Sequence, residues 1–480
     1  MMRVRFAPSP TGNLHIGTLR TALFNQLFAK AQGATTVLRI EDTDLARSNP
    51  AYETSIMAGL AWMGLTPDEG PHHEGGYGPY RQSERMAFYR AAVDRLMASG
   101  HAYFCFCSAA DLEAERADAD AQKKPYVYSG KCRHLSVEIR DAYLAQKRPY
   151  TYKFHVPIEG EIMVSDLIRG DIVFESRLIG DFVMMKSDGM PSYNFAVVVD
   201  DIAMAITHVI RGEDHISNTP KQITLFHALG ATVPAFAHLP MILGPDKSKL
   251  SKRHGATNVT EYREQGFLAE AMFNYLSLLG WSSPDDKEIM TPDETFARFS
   301  LDRVSKSGAV FDLTKLTWMN GQYIRAMSSS DFYQAVRPFL TEDNRHAMAS
   351  LTEKQWEDAC FSVRDNVETL IQINDYVTVY TMSDPSFQAA TAAVTWQATD
   401  MTVIAAFAAG WEAQGPMTAE AIDGLIATIV TQTGLGKGKV YKPIRLATSG
   451  LGTGPHIAAY LHVFGHDKVL RRLRRTLEAQ

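Results

Sequence analysis

Two segments far apart in this sequence carry residue types that suit phosphate chemistry. Residues 5–17 read RFAPSPTGNLHIG, and residues 249–253 read KLSKR. The first brings His15 and Gly17 to the start of a predicted helix, and the second brings three cations into five residues. Attack on a phosphorus atom needs mainly positioning and positive charge at the transferring phosphate. Together the segments predict a site that binds ATP and transfers its adenylyl group to a carboxylate.

The first segment combines a short strand with the start of a helix. Residues 4–6 read as a strand, and the prolines and the glycine that follow directly end it. Apolar residues then recur at helical spacing, so we expect a helix that begins near Gly17 or Thr18. Backbone N–H groups at such an end carry partial positive charge and suit phosphate, and His15 lies beside them. The alternative is an ordinary strand-to-helix turn with an incidental histidine.

The cations of the second segment are Lys249, Lys252 and Arg253. Gly-Pro-Asp precedes them at 244–246 and Gly255 follows, which predicts a mobile loop. A loop of this kind can close over a triphosphate and supply positive charge. The alternative is a basic loop that only faces solvent.

Four further motifs lie between these segments: RIEDTD at 39–44, GPYRQS at 78–83, YNFAVVVDD at 193–201 and VIRGEDH at 209–215. In this order, all six resemble the motifs of class I aminoacyl-tRNA synthetases, and more narrowly of the glutamyl-tRNA synthetase family. The resemblance is dense to about residue 330 and looser beyond. It implies a ligase that uses ATP and Mg²⁺ to form glutamyl adenylate and then transfers L-glutamate to the 3′ end of tRNA(Glu).

The resemblance also implies roles for individual residues. His15 and Lys252 are expected to stabilise the charge that develops at the transferring phosphate. ATP binding is expected from a set at the helix start and in the loop: Gly17, Lys249, Ser251, Lys252 and Arg253.

The glutamate pocket is expected to pair each charge of the amino acid. An arginine fork matches a side-chain carboxylate, and Arg5 and Arg211 are the candidates. Glu41 suits the α-ammonium group, unless Arg5 and Glu41 merely form a salt bridge with each other. Glutamine would leave desolvated cations unpaired, so charge favours glutamate. The resemblance adds three lining positions, Ala7, Ser9 and Tyr193.

Three cysteines have a spacing similar to that of structural zinc sites. Cys105 and Cys107 form a C-x-C pair, tighter than usual, and Cys132 follows 25 residues later. Some members of the resembling family carry zinc here, with a fourth ligand that corresponds to Tyr128 or to His134. Reduced cysteines without a metal are the alternative.

Strand-like and helix-like segments alternate in two stretches of the sequence. The first holds strands at Val4–Phe6 and Thr36–Ile40, and the second holds strands at Ala196–Val199 and Ile206–Ile210. Such alternation predicts an α/β fold with a parallel sheet, whose ligands bind beyond the carboxyl ends of the strands. Glu41 and Arg211 each follow a strand, so we expect both to face the same crevice as His15.

With the resemblance, this alternation implies a Rossmann-like catalytic domain split by an insertion and followed by an all-α anticodon-binding region, with the following bounds and roles. The catalytic domain covers 1–80 and 186–240, and the connective insertion, which grips the acceptor end, covers 81–185. A stem-contact region with the KLSKR loop covers 241–325, and the helical region covers 326–480. In the last, apolar spacing predicts one helix over 332–340 and another over 422–430.

Composition describes an ordinary globular chain of 480 residues, 45% hydrophobic and 21% charged. It has no apolar run of about 18 residues, so no transmembrane helix is expected. Charges and prolines near the N-terminus argue against a signal peptide. We therefore expect a cytoplasmic, reducing compartment, in which the cysteines do not form disulfides. Net charge is −6, yet residues 431–480 hold nine cations against two carboxylates, a basic surface that suits RNA. For Arg471 to Arg475 the alternative is a C-terminal helix face that only meets solvent.

Other functions stay open at this point. The enzyme could charge tRNA(Gln) as well as tRNA(Glu), or the chain could be a catalytically silent paralogue that only binds tRNA. Glutaminyl-tRNA synthetase is less favoured, because its anticodon portion is β-rich and this C-terminal third reads as helical. Arg364 is a candidate for anticodon contact, and the resemblance implies a monomer.

Overall fold

A computed structural model of the chain describes residues 1–349 and 351–479, without the side chain of Lys252. The chain divides into two compact units. The first comprises Met1–Glu261 and Met272–Asp312, and the second comprises Tyr262–Ala271 and Leu313–Gln480. None of the described helices is long and apolar enough to cross a membrane.

The strands of the described chain belong to the first unit. In chain order they are β1 (Arg3–Phe6), β2 (Thr35–Leu38), β3 (Ala102–Cys105), β4 (Thr151–Phe154), β5 (Glu161–Asp166), β6 (Gly170–Glu175), β7 (Phe182–Met185), β8 (His208–Gly212), β9 (Ala235–Leu239), β10 (Ile242–Leu243) and β11 (Ala309–Val310).

The largest sheet has six strands in the order β2-β1-β8-β9-β5-β6. Neighbours from β2 to β5 pair in parallel, and β6 adds an antiparallel edge strand. Since β1, β2 and β8 run the same way, their carboxyl ends meet at one edge of the sheet. The predicted parallel sheet is therefore confirmed. Two smaller sheets are the antiparallel β3-β4-β7 and the parallel β10-β11.

Helices cover the sheets of the first unit and build the second. Those up to residue 312 are α1 (Ile16–Gln32), α2 (Pro50–Trp62), α3 (Met86–Ala98), α4 (Ala109–Ala121), α5 (Val137–Ala145), α6 (Tyr193–Ala203), α7 (Thr219–Ala228), α8 (Val259–Glu264), α9 (Ala269–Leu278) and α10 (Pro292–Arg298). Beyond residue 312 follow α11 (Leu313–Ala326), α12 (Ser329–Val336), α13 (Glu342–Ala347), α14 (Glu353–Val363), α15 (Ile373–Tyr376), α16 (Thr378–Thr381), α17 (Asp384–Ala392), α18 (Ala398–Gln414), α19 (Ala419–Thr433), α20 (Lys437–Ser449), α21 (Ile457–Phe464) and α22 (His466–Glu478).

Helix α1 begins where the sequence predicts, because its ends are capped. His15 is the N-cap residue, with extended backbone and a side chain that accepts a hydrogen bond from the Gly17 N–H. At the other end Gly33 takes a left-handed conformation, with φ of 62°, and its N–H donates to the Ala29 carbonyl. The caps fix the helix start directly after β1 and its turn.

The strand predicted at Ala196–Val199 is wrong. These residues lie in α6, whose residues 195–201 are all buried. An apolar run that is buried on every side carries no periodicity that separates a helix from a strand. The strand predicted at Ile206–Ile210 is present as β8, two residues later, so Arg211 lies inside the strand and not after it.

The segment predicted as an insertion, 81–185, contains two strands of the largest sheet. β5 pairs with β9 through Asp166 and Phe236, and β6 pairs with β5. The separate antiparallel sheet is formed by β3, β4 and β7. Apolar side chains of β3, β4 and β7 pack with α3 and α6 in one hydrophobic cluster.

The second unit is helical in its described part, as predicted. The helix predicted over 422–430 is α19, but the one predicted over 332–340 ends at Val336. A 3-10 turn follows at Arg337–Phe339 and contains Pro338, whose ring disfavours a continued α-helix. Cys360 is buried in the core of this unit.

One of the nine predicted surface cations is buried. Arg472 in α22 is 1% exposed, and its Nη1 donates to the Thr448 carbonyl at 2.8 Å. The helical periodicity places Arg472 and Leu473 on the buried face of α22, whereas Arg471, Arg474 and Arg475 lie on its exposed face. The other cations of residues 431–480 are exposed or half-buried: Lys437, Lys439, Lys442, Arg445 and Lys468.

Candidate active site

A cavity of about 460 Å³ lies at the carboxyl ends of β1 and β8 and the start of α1. It gathers most of the predicted site residues from six parts of the chain. Those that line it are Arg5, Ala7, Ser9, His15, Gly17, Glu41, Tyr193, Arg211 and Lys249. The expectation that Glu41, Arg211 and His15 face one crevice is confirmed.

The start of α1 presents a hydrogen-bond donor to this cavity. His15 Nδ1 accepts the Gly17 N–H at 3.0 Å, so the neutral imidazole carries its proton on Nε2. Burial, reinforced by the nearby Lys249 ammonium, holds the pKa of His15 below its usual value. The ring is therefore a neutral donor at the end of a helix whose free N–H groups favour anions.

The lysine loop follows β10. Lys249 lines the cavity, and its Nζ lies 3.5 Å from the Asp214 carboxylate. Arg253 Nη2 lies 3.1 Å from the carboxylate of Asp246, whose pKa is held well below its usual range by hydrogen bonds from Ser248.

Ser251 in this loop donates its N–H to His254 Nδ1 at 3.1 Å. The role predicted for Lys252 falls on a side chain outside the described residues. Of the predicted loop residues whose side chains are described, Lys249 alone lines the cavity.

A buried network of charges supports the pocket. Arg5 Nε lies 3.3 Å from Asp201, and Arg39 bridges Asp201 at 2.6 Å to Glu41 at 3.0 Å. In this described region Arg5 and Glu41 thus have different partners, and the simple Arg5–Glu41 salt bridge is not formed. Burial raises the pKa of Glu41 against the attraction of Arg39, whereas Arg5 and Arg39 outweigh burial and lower the pKa of Asp201.

Arg211 is held differently from Arg5. Its Nε donates to His238 Nε2 at 3.2 Å and its Nη2 to Thr219 Oγ1 at 2.8 Å. Its Nη1 is buried and has no hydrogen-bond partner in the described structure. The guanidinium therefore lines the cavity without a carboxylate in direct contact, and burial lowers its pKa.

Tyr193 and His215 form the wall beside Arg211. The Tyr193 hydroxyl lies 3.1 Å from His215 Nδ1. Burial, together with the Arg211 charge, lowers the pKa of His215 to about 4. Both side chains are neutral at pH 7, so the positive charge of this part of the pocket comes from the arginines.

The structure brings the three cysteines together with Tyr128. The sulfur atoms of Cys105, Cys107 and Cys132 lie within 4.8 Å of one another. The Tyr128 hydroxyl is 3.4 Å from Cys105 Sγ and 3.1 Å from Cys107 Sγ. His134 is exposed and lies outside this group. Hydrogen bonds from Cys132 and Tyr128 lower the pKa of Cys105, whereas burial raises the pKa of Cys107 and the hydrogen bond to Cys105 raises that of Cys132.

Two family models cover most of the chain. The model described as "tRNA synthetases class I (E and Q), catalytic domain" matches residues 1–318, and "Anticodon binding domain" matches residues 331–477. The chain is 45% identical to the glutamate–tRNA ligase of Sulfurihydrogenibium sp., over 100% of this chain and 99% of the relative. It is 42% identical to that of Carboxydothermus hydrogenoformans, over 98% and 99%. The chain belongs to the glutamate–tRNA ligase family of class I tRNA synthetases.

Solved structures of that family have the same fold as this chain. A glutamate tRNA ligase from Elizabethkingia meningosepticum, crystallised in complex with its amino acid, matches with a TM-score of 0.86 and 33% identity, over 99% of each chain. A glutamate-tRNA synthetase from Elizabethkingia anophelis matches with a TM-score of 0.83 and 34% identity, again over 99% of each chain.

Sequence reasoning missed several buried residues that lie behind the lining of this cavity. Asp201 stands in a motif that the sequence displays, an apolar run that ends in two carboxylates, and this position could have signalled a buried ion pair. Thr219, Asp166 and His238 carry no comparable signal, because Thr219 and His238 meet Arg211, and Asp166 meets His238, only in the folded chain.

Proposed function

We propose that this chain attaches L-glutamate to tRNA(Glu) by forming glutamyl adenylate from ATP and then transferring glutamate to the tRNA 3′ end. The observation that supports glutamate as the substrate is the Arg211 guanidinium, which is buried, lines the cavity and has no partner for Nη1 in the described structure. A buried cation without a counter-ion is costly, and a ligand carboxylate supplies one. Relatives named glutamate–tRNA ligase support the same substrate.

In this proposal the two arginines hold the side-chain carboxylate of glutamate. Arg5 contacts Asp201 through Nε, which leaves its two Nη groups for a ligand. Glu41 takes the α-ammonium group, and Arg39 holds the Glu41 carboxylate in place. The remaining lining residues, Ala7, Ser9 and Tyr193, shape the pocket. Glutamine lacks the negative charge that would compensate Arg211, so the pocket favours glutamate.

The α-carboxylate of glutamate attacks the α-phosphorus of ATP, and pyrophosphate leaves. His15 donates from Nε2 to the phosphate, while Gly17 lets the nucleotide lie against the helix start. The loop residues Lys249, Ser251, Lys252 and Arg253 are proposed to supply the remaining positive charge and hydrogen bonds. The half-exposed carboxylate of Asp214 lines the same cavity and suits Mg²⁺, which neutralises charge on the phosphates when bound.

The cysteine group is proposed as a structural zinc site. Three sulfur atoms within 4.8 Å of one another fit a tetrahedral ion with Zn–S distances of about 2.3 Å. The Tyr128 oxygen, close to two of these sulfurs, supports tyrosine and not His134 as the fourth ligand. Zinc would hold the end of β3 to the segment that carries Tyr128 and Cys132, with no catalytic role.

The tRNA is proposed to contact the chain at three places. The segment 81–185 binds the acceptor end, 241–325 contacts the stem, and the helical region 326–480 reads the anticodon, where Arg364 is one candidate. The match of residues 331–477 to an anticodon binding domain supports the last assignment. Charging of tRNA(Gln) is the alternative substrate range, and we propose a monomer.

The test is charging of purified tRNA(Glu) and, separately, tRNA(Gln) with labelled glutamate, ATP and Mg²⁺. Glutamate on tRNA(Glu) alone indicates a discriminating ligase, and glutamate on both indicates the wider substrate range. Arg211→Met is expected to abolish the preference for glutamate over glutamine when labelled glutamine is offered in a parallel assay. If the native chain charges neither tRNA, the proposal is wrong and a tRNA-binding role replaces it.

A further inference from the structure

A line of buried hydrogen bonds crosses three neighbouring strands and ends at Arg211. Asp166 in β5 and His238 in β9 are both fully buried, and Asp166 Oδ2 lies 2.6 Å from His238 Nδ1. On the other side of the ring, His238 Nε2 accepts Arg211 Nε at 3.2 Å. None of the site assignments above uses Asp166 or His238.

The surroundings of Asp166 decide where the histidine proton lies. One carboxylate oxygen accepts the N–H groups of Ile168 at 2.9 Å and Arg169 at 2.8 Å. The other accepts the His238 N–H at 3.0 Å and faces His238 Nδ1. A carboxylate that receives donors on both oxygens is itself an acceptor only, so Nδ1 must carry the proton. His238 Nε2 is then a lone-pair acceptor in the neutral ring.

This tautomer suits Arg211. Nε2 accepts from Arg211 Nε, and Thr219 Oγ1 lies 3.1 Å from Nε2 and accepts from Arg211 Nη2. The Phe236 ring lies 5.3 Å from the guanidinium carbon and stacks on the His238 ring. Two of the three guanidinium nitrogens are thereby fixed by neutral acceptors, and Nη1 is left for a ligand.

We propose that Asp166 and His238 are positioning residues for the recognition of glutamate. The pair holds the Arg211 guanidinium in its orientation through a neutral acceptor, the His238 ring. The positive charge of Arg211 is thereby left without a counter-ion in direct contact. A carboxylate in place of the imidazole would orient the guanidinium equally well but would neutralise it. This inference rests on the proposed role of Arg211 toward the side-chain carboxylate.

The test compares His238→Leu with His238→Gln. Leucine removes the acceptor, whereas glutamine can present its amide oxygen near the place of Nε2. With tRNA(Glu) present, we expect His238→Leu to raise the KM for glutamate about ten- to hundredfold, the range for one lost hydrogen bond to a charged group. The KM for ATP should stay within about twofold, and His238→Gln should recover part of the loss. Asp166→Asn should act in the same direction, since an amide NH₂ facing Nδ1 favours the wrong tautomer.

Glu69→Gln is the control for the effect of losing a buried polar pair that does not contact Arg211. Glu69 forms a buried pair with Arg3, whose strand β1 lies in the same sheet, and neither residue lines the cavity. This variant should lower the unfolding midpoint as the His238 variants do, yet leave the KM for glutamate unchanged. If both His238 variants and Glu69→Gln raise that KM alike, or if His238→Leu leaves it unchanged, the positioning role is refuted.

Arg211→Met separates this failure from failure of the proposed function. If Arg211→Met raises the KM for glutamate and His238→Leu does not, the pocket assignment stands and the positioning pair is wrong. If Arg211→Met has no effect either, the assignment of Arg211 fails first and takes the inference with it.

Discussion

Replacement of Asp201 by asparagine tests whether the buried charges position the proposed glutamate pocket. Asp201 is 4% exposed in its side chain and pairs with Arg5 at 3.3 Å and Arg39 at 2.6 Å. Asparagine keeps the shape and one carbonyl oxygen but removes the charge. Loss of one partner of a buried ion pair costs about 3–5 kcal/mol, and the retained oxygen places the expected loss of unfolding free energy near the lower end, about 3 kcal/mol.

The same change should weaken glutamate binding. Arg5 loses its charged anchor, and a hydrogen bond to a charged group contributes about 1.5–3 kcal/mol. Since about 1.4 kcal/mol corresponds to a factor of ten, the KM for glutamate should rise about ten- to hundredfold. The KM for ATP should change little, because the helix start and Lys249 do not contact Asp201.

The matched control is Asp200→Asn, one residue away in α6. Asp200 is as deeply buried and bonds Arg85 at 2.6 Å and Tyr89 at 2.9 Å, neither of which lines the cavity, and its contact with Arg39 Nε is longer, at 3.8 Å. Urea unfolding and glutamate kinetics with saturating tRNA(Glu) measure both variants. Both should lose stability, but only Asp201→Asn should raise the KM for glutamate. Equal KM values in the two variants would refute the link between Asp201 and the pocket.

Three further predictions concern stability and zinc. Gly266→Ala should destabilise the helical unit by several kcal/mol, because Gly266 has φ of 81° and an added Cβ would lie 2.6 Å from the Leu370 nitrogen. In the control Gly434→Ala, φ is 65° and the added Cβ meets open space, so the cost should be about 1 kcal/mol. Equal urea midpoints for the two variants would contradict this prediction. As pH falls from about 6.5 toward 4, the unfolding free energy should fall, because unfolded His215 takes up a proton that folded His215, with its pKa of about 4, does not; His215→Asn should flatten this slope. Chelation should release zinc and lower the melting temperature, and Cys105→Ser should reduce the zinc content; a purified chain without zinc would count against that site.

Much of the candidate site could be predicted because its signals are local. His15 and Gly17 are two residues apart, so a helix start was enough to place them together. The conclusion that Glu41 and Arg211 share a crevice with His15 needed only a parallel sheet, although Arg211 lies within β8 and not after it. The helical C-terminal third was predicted from apolar spacing, with one helix cut short by Pro338.

The rest could not be predicted, since pairing of buried groups depends on position in space. Arg5 meets Asp201 across 196 residues of sequence, and Asp166 meets His238 across 72. A salt bridge between Arg5 and Glu41 was the alternative to substrate binding, but the fold instead pairs Arg5 with Asp201 and Glu41 with Arg39. A charge pattern in sequence states which groups need partners and not which partners the fold supplies.

The sequence by itself determined the family and predicted the chemistry: a helix start that suits phosphate, arginines that suit a carboxylate, and a cysteine group that suits a metal. The tertiary structure alone decided that Ala196–Val199 is helical, that Arg472 points inward, and that His134 stays outside the cysteine group. It also decided that Arg211 has no carboxylate in direct contact, because the partners of its Nε and Nη2, His238 and Thr219, are neutral. Residue types set what a side chain can do, whereas burial and register set which partners it has.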